Sequence, residues 1–388
     1  MTEDVLVNLL RKMLSLVFER VDSLTNSSRW TNDKILQKYF FCNTFRVLDK
    51  GCQFLIKEVI EKGSQQPEEV VFRVILFNLF TKIETWQLLD EKLGPLKWTT
   101  YNHDKYAEVL SDAFESGLPL YTDAFIKPAP HFGHKRNYKN HLCFLEVLMD
   151  NKLYSRLLVA PYMADVYEYL YSFPSMGSFT AYQLMLSLSY SNVLNFHRDD
   201  FVVSGPGSVS GMRKIFGKSW NFNNDLAFHQ DVMRYFVDTQ DYHFKRLGLH
   251  FSGLGPKKLP MDIADVEHTL CEVDKYCRAA HPGLKGTRQN LTRLFHSQSK
   301  PNPAYMPKAW NHPARRVSRI RPDKELHLEK RYQINYIKAH RDQEGQKQYL
   351  VYWVGYPDRD ATWEFEDSLM DEAPSAVQEY LKKLSAHK

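Results

Sequence analysis

The sequence predicts a multi-domain protein, with a large all-α region followed by a small α+β domain at the C-terminus. The chain has 388 residues, which is too long for one ordinary hydrophobic core. Over residues 1–280, apolar side chains recur at helical spacing and strand signals are sparse. Alternation of apolar and polar residues begins only near residue 332, which indicates a late switch to β-strands.

The N-terminal region is expected to form a series of helices. Residues 3–23 have helical spacing, and the polar run 31–33 offers an N-cap for a helical stretch that extends to Ile60 with a break near Gly51. Pro67 begins a helix that is apolar on most faces. Further helices are predicted over residues 82–92, 103–117, 137–150, 162–172, 178–189, 222–247 and 262–279.

Composition narrows the class of protein. The first residues lack the basic-then-apolar order of a signal peptide, and the apolar run 70–80 is too short to span a bilayer. We therefore expect a soluble, intracellular protein without a membrane partner. The five cysteines form no CxxC pair, so the sequence predicts free thiols, no metal site and no cofactor.

Residues 281–330 are rich in Pro, Asn, Ser and basic side chains and are predicted to be a linker. Residues 284–331 hold 12 Lys/Arg against 3 Asp/Glu, although the whole chain has a net charge of only +5. Such a basic segment is either a nucleic-acid contact or a solvated spacer. Tyr305 and Trp310 are expected to attach it to a neighbouring surface.

The last domain is predicted to contain three strands and a helix. Residues 332–337 and 347–353 alternate, with a hairpin turn at 342–345 between them. A third strand is expected around 362–364, and Pro374 begins a helix that runs to Leu384. The predicted boundaries are 1–280 for the helical domain, 281–330 for the linker and 331–386 for this domain.

Residues 331–384 resemble a chromodomain. The matching motifs, in order, are an aromatic at 332, YLVYWVGYP at 349–357, ATWE at 361–364 and the QEY helix at 378–380. The resemblance implies a three-stranded antiparallel sheet with a C-terminal helix, which binds a methyl-lysine peptide such as a methylated histone tail. It places the aromatic cage at Tyr332, Trp353 and Tyr356, with Asp360 at its rim.

A cage of this kind fits the chemistry, because a quaternary ammonium is drawn to aromatic faces but donates no strong hydrogen bond. The peptide would add as a strand beside residues 332–335. The alternative is that these aromatics are only core, which is the preferred interpretation for Trp363. The chain departs from chromodomains that read histone tails at residues 329–331, where Glu-Lys-Arg replaces an acidic run.

The helical region is similar to the helical domain of 5-hydroxymethyluracil DNA kinases over most of residues 20–280. The resembling stretches are RWT at 29–31, FCNTFRVLD at 41–49, VFRVILF at 71–77, GPG at 205–207 and DVEHTLCE at 265–272. That family is in turn similar to the helix-hairpin-helix DNA glycosylases, whose hairpin corresponds here to FPSMGSFTA at 173–181. The resemblance implies DNA-binding residues Ser175, Gly177 and Thr180.

The same resemblance implies a catalytic carboxylate at Asp200, with Asp199 as its neighbour. A carboxylate stabilises the positive charge that develops on a sugar when an N-glycosidic bond breaks. The alternative is that either residue caps a helix or turn, before a short strand-like run into Gly205. Phe179 stands where bifunctional glycosylases carry a lysine, which disfavours a lyase.

A second candidate site lies on the last helix of the region. Asp265, His268, Glu272 and Lys275 follow one another at spacings of three and four, so they share a face and are pocket candidates. The alternative is a solvated or ion-paired polar face.

These patterns predict a nuclear, chromatin-associated protein whose chromodomain reads a methyl-lysine peptide and whose helical region engages DNA, with processing of a modified base as the candidate activity. No GxxxxGK[ST] sequence is present, so phosphate transfer by a P-loop mechanism is excluded. The alternatives are a non-catalytic chromatin- or DNA-binding adaptor and a chromodomain protein derived from a mobile element.

Overall fold

A computed structural model describes residues 33–122, 127–217, 225–246, 248, 253–284, 290–295, 305–343 and 345–386. The helix predicted at 3–23 lies outside these ranges. Contacts divide the chain into two compact units, the first drawn from Met1–Gln65, Ala160–Asp165 and Met185–Leu326, the second from Gln66–Val159, Val166–Leu184 and His327–Lys388. Among the described helices, none has the length and apolar character needed to cross a bilayer.

The region before the linker is helical, as predicted. Its helices in chain order are α1 (Lys34–Lys38), α2 (Lys50–Phe54, continued by a π-helical turn Leu55–Ile60), α3 (Pro67–Phe80), α4 (Ile83–Leu93), α5 (His103–Glu115), α6 (Asn137–Asp150), α7 (Leu153–Val159), α8 (Met163–Tyr171), α9 (Ser178–Leu188), α10 (Pro206–Phe216), α11 (Leu226–Arg246) and α12 (Ile263–Ala280). The predicted helices from 82 to 279 are present within a few residues of their expected ends, and α7 and α10 were not predicted.

The prediction of a helical stretch from residue 33 to Ile60 is wrong in its middle. Asp33 caps α1 as expected, its carboxylate accepting two backbone N–H groups. The helix ends at Lys38, however, because the next backbone groups pair with a distant segment: the Phe40 N–H donates to Arg293 O, and the Phe295 N–H donates to Lys38 O. Between α1 and α2, all residues of which are described, the only helical structure is a 3₁₀ turn at Arg46–Leu48.

The strand-like run expected after Asp200 is also absent. Residues 201–205 are irregular and largely buried, and the chain enters α10 at Pro206. α10 then packs very closely on α12, since a Cβ added to Gly211 would lie 2.2 Å from the Leu270 carbonyl oxygen. Glycine is required at this position because no side chain fits between the two backbones.

The C-terminal domain has the predicted sheet, with strands β1 (Ile334–Gln343), β2 (Gln346–Trp353) and β3 (Thr362–Phe365) in antiparallel order β1-β2-β3. Two helices follow, α13 (Glu366–Glu372), which was not predicted, and α14 (Pro374–Ala386). Its small core consists of Ile337, Tyr349, Val351, Leu369 and Val377. Trp363, expected in the core, is instead half-buried under the Arg341 guanidinium, 4.2 Å from the ring centroid.

Candidate functional site

The three predicted cage aromatics lie together at one end of the sheet. The Tyr332 ring centroid is 5.6 Å from that of Trp353 and 5.1 Å from that of Tyr356. The Trp353 indole N–H donates to the Thr362 hydroxyl at 3.0 Å, which fixes its ring. Tyr332 is 57% exposed, so this group of rings is accessible from solvent.

The arm that leads into the cage is bound to the helical residues of the second unit. The Lys330 ammonium donates to the carbonyls of Tyr171, Phe173 and Met176 at 2.5, 3.3 and 2.7 Å. The Arg331 N–H donates to Ser172 O at 2.8 Å. These contacts give a physical role to the basic residues that replace the usual acidic run before the first cage aromatic.

The turn between α8 and α9 contains Ser175 and Gly177 of the predicted DNA-binding residues, and the first turn of α9 contains Thr180. Ser175 adopts a left-handed conformation, φ 58°, which favours glycine and costs about 1 kcal/mol for other residues. The Gly177 N–H donates to Ser175 O, and Ser175 and Thr180 line a cavity of about 350 Å³ together with Lys127. The structure thus places a helix–turn–helix at the predicted position; whether it binds DNA stays a prediction.

Asp199 and Asp200, predicted as the catalytic pair, both accept hydrogen bonds from the backbone. Asp200 is buried; one carboxylate oxygen accepts from the His197 N–H, and the other accepts from Ser318 Oγ and the Arg319 N–H. Asp199 accepts the Ile263 N–H at 2.9 Å, at the start of α12. Both therefore make the capping contacts that were the alternative interpretation.

A group of carboxylates surrounds the first turn of α12. Asp262 and Asp265 form a capping box, each side chain accepting the other's backbone N–H. Burial, together with the neighbouring Asp262 charge, raises the pKa of Asp265 well above its ordinary value and also raises the pKa of Asp199. A buried carboxyl with a raised pKa is the kind of group that transfers protons in catalysis.

Asp265 also lines the larger of the two cavities described here, which has about 520 Å³ of open space and lies within the first unit. Its wall combines cationic, aromatic and acidic side chains, which include Arg46, Tyr190, His197, Arg198, Asp262, Trp310 and Arg315. The Arg198 guanidinium lies 5.2 Å from the Trp310 ring centroid and 3.4 Å from Asp262. These walls combine an aromatic surface with hydrogen-bonding and charged groups.

Part of this wall comes from the linker, which the sequence predicted to be attached to a neighbouring surface through Tyr305 and Trp310. Trp310 packs near Tyr190 with ring centroids 6.1 Å apart, and the Tyr305 hydroxyl donates to Glu61 at 2.5 Å. Sequence reasoning nevertheless missed Arg46, Arg198 and Arg315 as site residues. Arg46 lies inside the FCNTFRVLD stretch, so that motif held a usable signal, whereas nothing marked the other two.

The remaining pocket candidates lie further along α12. His268 is buried, and burial, with the nearby Arg46 and Lys275 charges, lowers its pKa to about 3, so its imidazole is neutral. Glu272 accepts the Cys42 N–H at 3.1 Å and pairs with Lys275 at 2.5 Å. His268 and Glu272 thus face the interior of the first unit, while Lys275 is half-buried.

Comparison with known proteins matches the helical region and the C-terminal region to two different families. The family model described as 5-hmdU DNA kinase, helical domain, matches residues 14–286, and the chromodomain model matches residues 332–383. The 5-hmdU DNA kinase of Bacillus phage SP10 is 25% identical over 271 residues, which cover 64% of this chain and 41% of the kinase. The chain thus spans less than half the length of that relative. No solved structure matches significantly.

Proposed function

Since the chain belongs to the family of the 5-hmdU DNA kinase helical domain, we propose that it is a nuclear, chromatin-associated protein whose helical region engages DNA and whose chromodomain binds a methyl-lysine peptide. The contact of Tyr332 with both Trp353 and Tyr356 carries the proposal. Three aromatic faces at one point suit a methylated ammonium, which gains about 0.5–2 kcal/mol from such rings.

The larger cavity, which lies in the first unit, supports the DNA-binding half of the proposal. Its arginines supply positive charge for phosphates, and Trp310 supplies a ring against which a base can stack. The name of the phage relative, 5-hmdU DNA kinase, points to 5-hydroxymethyluracil as the base to test first. Asp265 lines this cavity and has a raised pKa, so it is the candidate group for exchanging a proton with a base there.

A non-catalytic adaptor is the second candidate function, and the hydrogen bonds of Asp200 favour it. Its carboxylate already accepts three donors, so it has little capacity left for a water nucleophile. A base-release assay on duplexes with 5-hydroxymethyluracil separates the two. Release that Asp200→Asn abolishes, with DNA affinity and unfolding midpoint unchanged, supports the enzyme; no release by the wild-type chain supports the adaptor.

The peptide half is tested by calorimetry of the full chain with trimethylated and unmodified histone-tail peptides. We expect selective binding of methylated peptides, and a loss of about 2- to 30-fold in Trp353→Ala, since that variant removes one cage face. Trp363→Ala is the matched control, because this tryptophan lies under Arg341 outside the cage. Equal affinity for methylated and unmodified peptides would remove the methyl-lysine assignment.

The DNA half is tested by titrating the full chain with two duplexes that differ only by thymine or 5-hydroxymethyluracil. We expect tighter binding to the modified duplex and a loss of that preference in Arg198→Ala. Arg156→Ala, which removes the same charge from an exposed site on α7, should keep the preference. Identical affinities for both duplexes would contradict recognition of the base.

A further inference from the structure

Three side chains that commonly bind metal ions meet at one point in the first unit. They are Cys42, His268 and Glu272, and their ligand atoms all lie within 4.8 Å of one another. His268 and Glu272 are four residues apart on α12 and therefore share a face. Cys42 comes from the irregular segment between α1 and α2, 230 positions earlier than Glu272.

One imidazole nitrogen of His268 has no hydrogen-bonding partner in the described residues. The side chain is 7% exposed, its Nε2 atom is buried, and no group in the described residues forms a hydrogen bond with it. The Asp49 Oδ2 atom lies 3.8 Å from His268 Nε2, which is beyond hydrogen-bonding distance. A buried polar atom without a partner is costly, and bound ions are one way in which proteins satisfy such atoms.

Glu272 keeps coordinating capacity in spite of its contacts. One of its oxygens accepts the Cys42 N–H at 3.1 Å, and the other pairs with the Lys275 ammonium at 2.5 Å. Each carboxylate oxygen has two lone pairs, so both oxygens can still bind an ion. The bond from the Cys42 N–H also brings the backbone of that cysteine against the carboxylate, which holds the two ligands together.

We propose that Cys42, His268 and Glu272 bind one Zn²⁺ ion that fastens the segment before α2 onto α12. Thiolate, imidazole and carboxylate are all zinc ligands, at about 2.0–2.3 Å from the metal, so tetrahedral binding requires the three atoms to approach to about 3.5 Å. The Cys42 thiol releases one proton to solvent as its sulfur binds the ion. The thiolate and the Glu272 carboxylate then supply the two negative charges that neutralise the metal charge.

The position of the ion gives it a structural role. Residues 39–45 have no helix or extended strand, yet Phe45 in this segment is fully buried and Arg46 beside it lines the larger cavity. A metal bound at Cys42 would restrict this irregular backbone, because it ties the segment to a rigid helix at the point where it enters the core.

The structure holds a second set of possible ligands, formed by His103, Cys143 and Glu146. This set lacks a buried histidine nitrogen without a hydrogen-bonding partner, which is the feature that supports the proposal for Cys42, His268 and Glu272. Its histidine Nδ1 already pairs with Glu146 at 2.8 Å, and all three residues are half-buried. This set therefore offers a matched comparison in the same chain, with the same three residue types and no unsatisfied nitrogen recorded.

The test uses the full chain after treatment with a chelator, titrated with Co²⁺ as a spectroscopic substitute and then with Zn²⁺. We expect one equivalent of Co²⁺ to give a thiolate-to-cobalt charge-transfer band that Zn²⁺ abolishes. Zn²⁺ should also raise the melting temperature, because it binds only the folded state. Cys42→Ser should lose the band, and His268→Gln should weaken binding at least about tenfold.

Two further variants decide where the ion binds. Cys277→Ser removes another thiol of α12 and Cys143→Ser removes the thiol of the second set, and both should keep the band and the rise in melting temperature. Absence of a stoichiometric band in the wild-type chain would overturn the proposal. So would a band that persists in Cys42→Ser, or one that disappears in Cys143→Ser instead.

Discussion

The aromatic cage and the buried polar residues around α12 differ in how far apart their members lie in the sequence. The cage residues Tyr332, Trp353 and Tyr356 lie within 25 positions of one another and stand at the surface of a small sheet. The group around α12 instead joins Cys42 and Arg46 to α12 residues more than 200 positions away, and most of its members are buried. A binding surface formed by a local motif can thus be recognised from the motif, whereas a buried site formed by distant segments depends on packing.

The largest effect is expected from a substitution that disturbs the packing of α10 on α12, which supports the buried polar residues. Gly211→Ala should destabilise the helical region by about 3 kcal/mol or more, because the added methyl group meets the Leu270 carbonyl and forces α10 away from α12. Peptide binding by the chromodomain should remain. The measurement is urea unfolding together with peptide calorimetry on the folded variant.

Gly51→Ala is the control for that substitution. A Cβ at Gly51 meets no atom of the described residues within 4 Å, and its position in α2 favours alanine, so we expect a gain of about 0.5–1 kcal/mol. If the two variants unfold at the same urea concentration, the close approach of α10 and α12 does not make the protein sensitive to an added methyl group, and the prediction is wrong.

A second prediction concerns the pH dependence of the buried histidine in the second unit. Burial, with the nearby Lys127 charge, lowers the pKa of His141 to about 4, whereas the unfolded chain has the ordinary value of 6.5. The unfolded state therefore binds more protons between these values, and stability falls as the pH drops from 6.5 towards 4. The loss from this group approaches roughly 3 kcal/mol.

Urea unfolding at pH 7.5 and pH 5 measures this effect. His141→Gln should reduce the difference between the two midpoints, with the remainder due to other buried groups such as His268. Parallel pH profiles for the wild type and His141→Gln would show that His141 does not contribute. The comparison between the two regions is sharpened if methyl-lysine affinity stays constant over the same range, since the cage interaction involves uncharged rings.

The smallest expected effect is at the arm before the cage. Lys330→Met leaves three carbonyls without their donor and should lower the unfolding free energy by about 1–2 kcal/mol. Lys324→Met is the control, because its pair with Asp231 is exposed and should contribute less than about 1 kcal/mol. Differential scanning calorimetry distinguishes the two, and equal shifts would contradict a specific role for Lys330.

Much of the fold was predictable because it follows from local pattern. The period of apolar residues gave most of the helices, and the hairpin turn near Gly345 gave the sheet. The failure after Lys38 has a different cause: the backbone there bonds to residues near Arg293, and no local propensity reports such a partner. His268 and Glu272 were recognised as one helix face, but Cys42 was not placed opposite them, for the same reason.

The contacts of Lys330 bear on whether the chromodomain of this chain could be exchanged for another one. If a chromodomain had merely been fused to a helical protein, a tether alone would have joined them, and one module could be exchanged for another. Here Lys330, two residues before the matched chromodomain segment, donates hydrogen bonds to carbonyls at and just after the end of α8. A chromodomain transplanted from another protein without that lysine would leave these carbonyls without their donor, so we expect such an exchange to lower the stability of the chain.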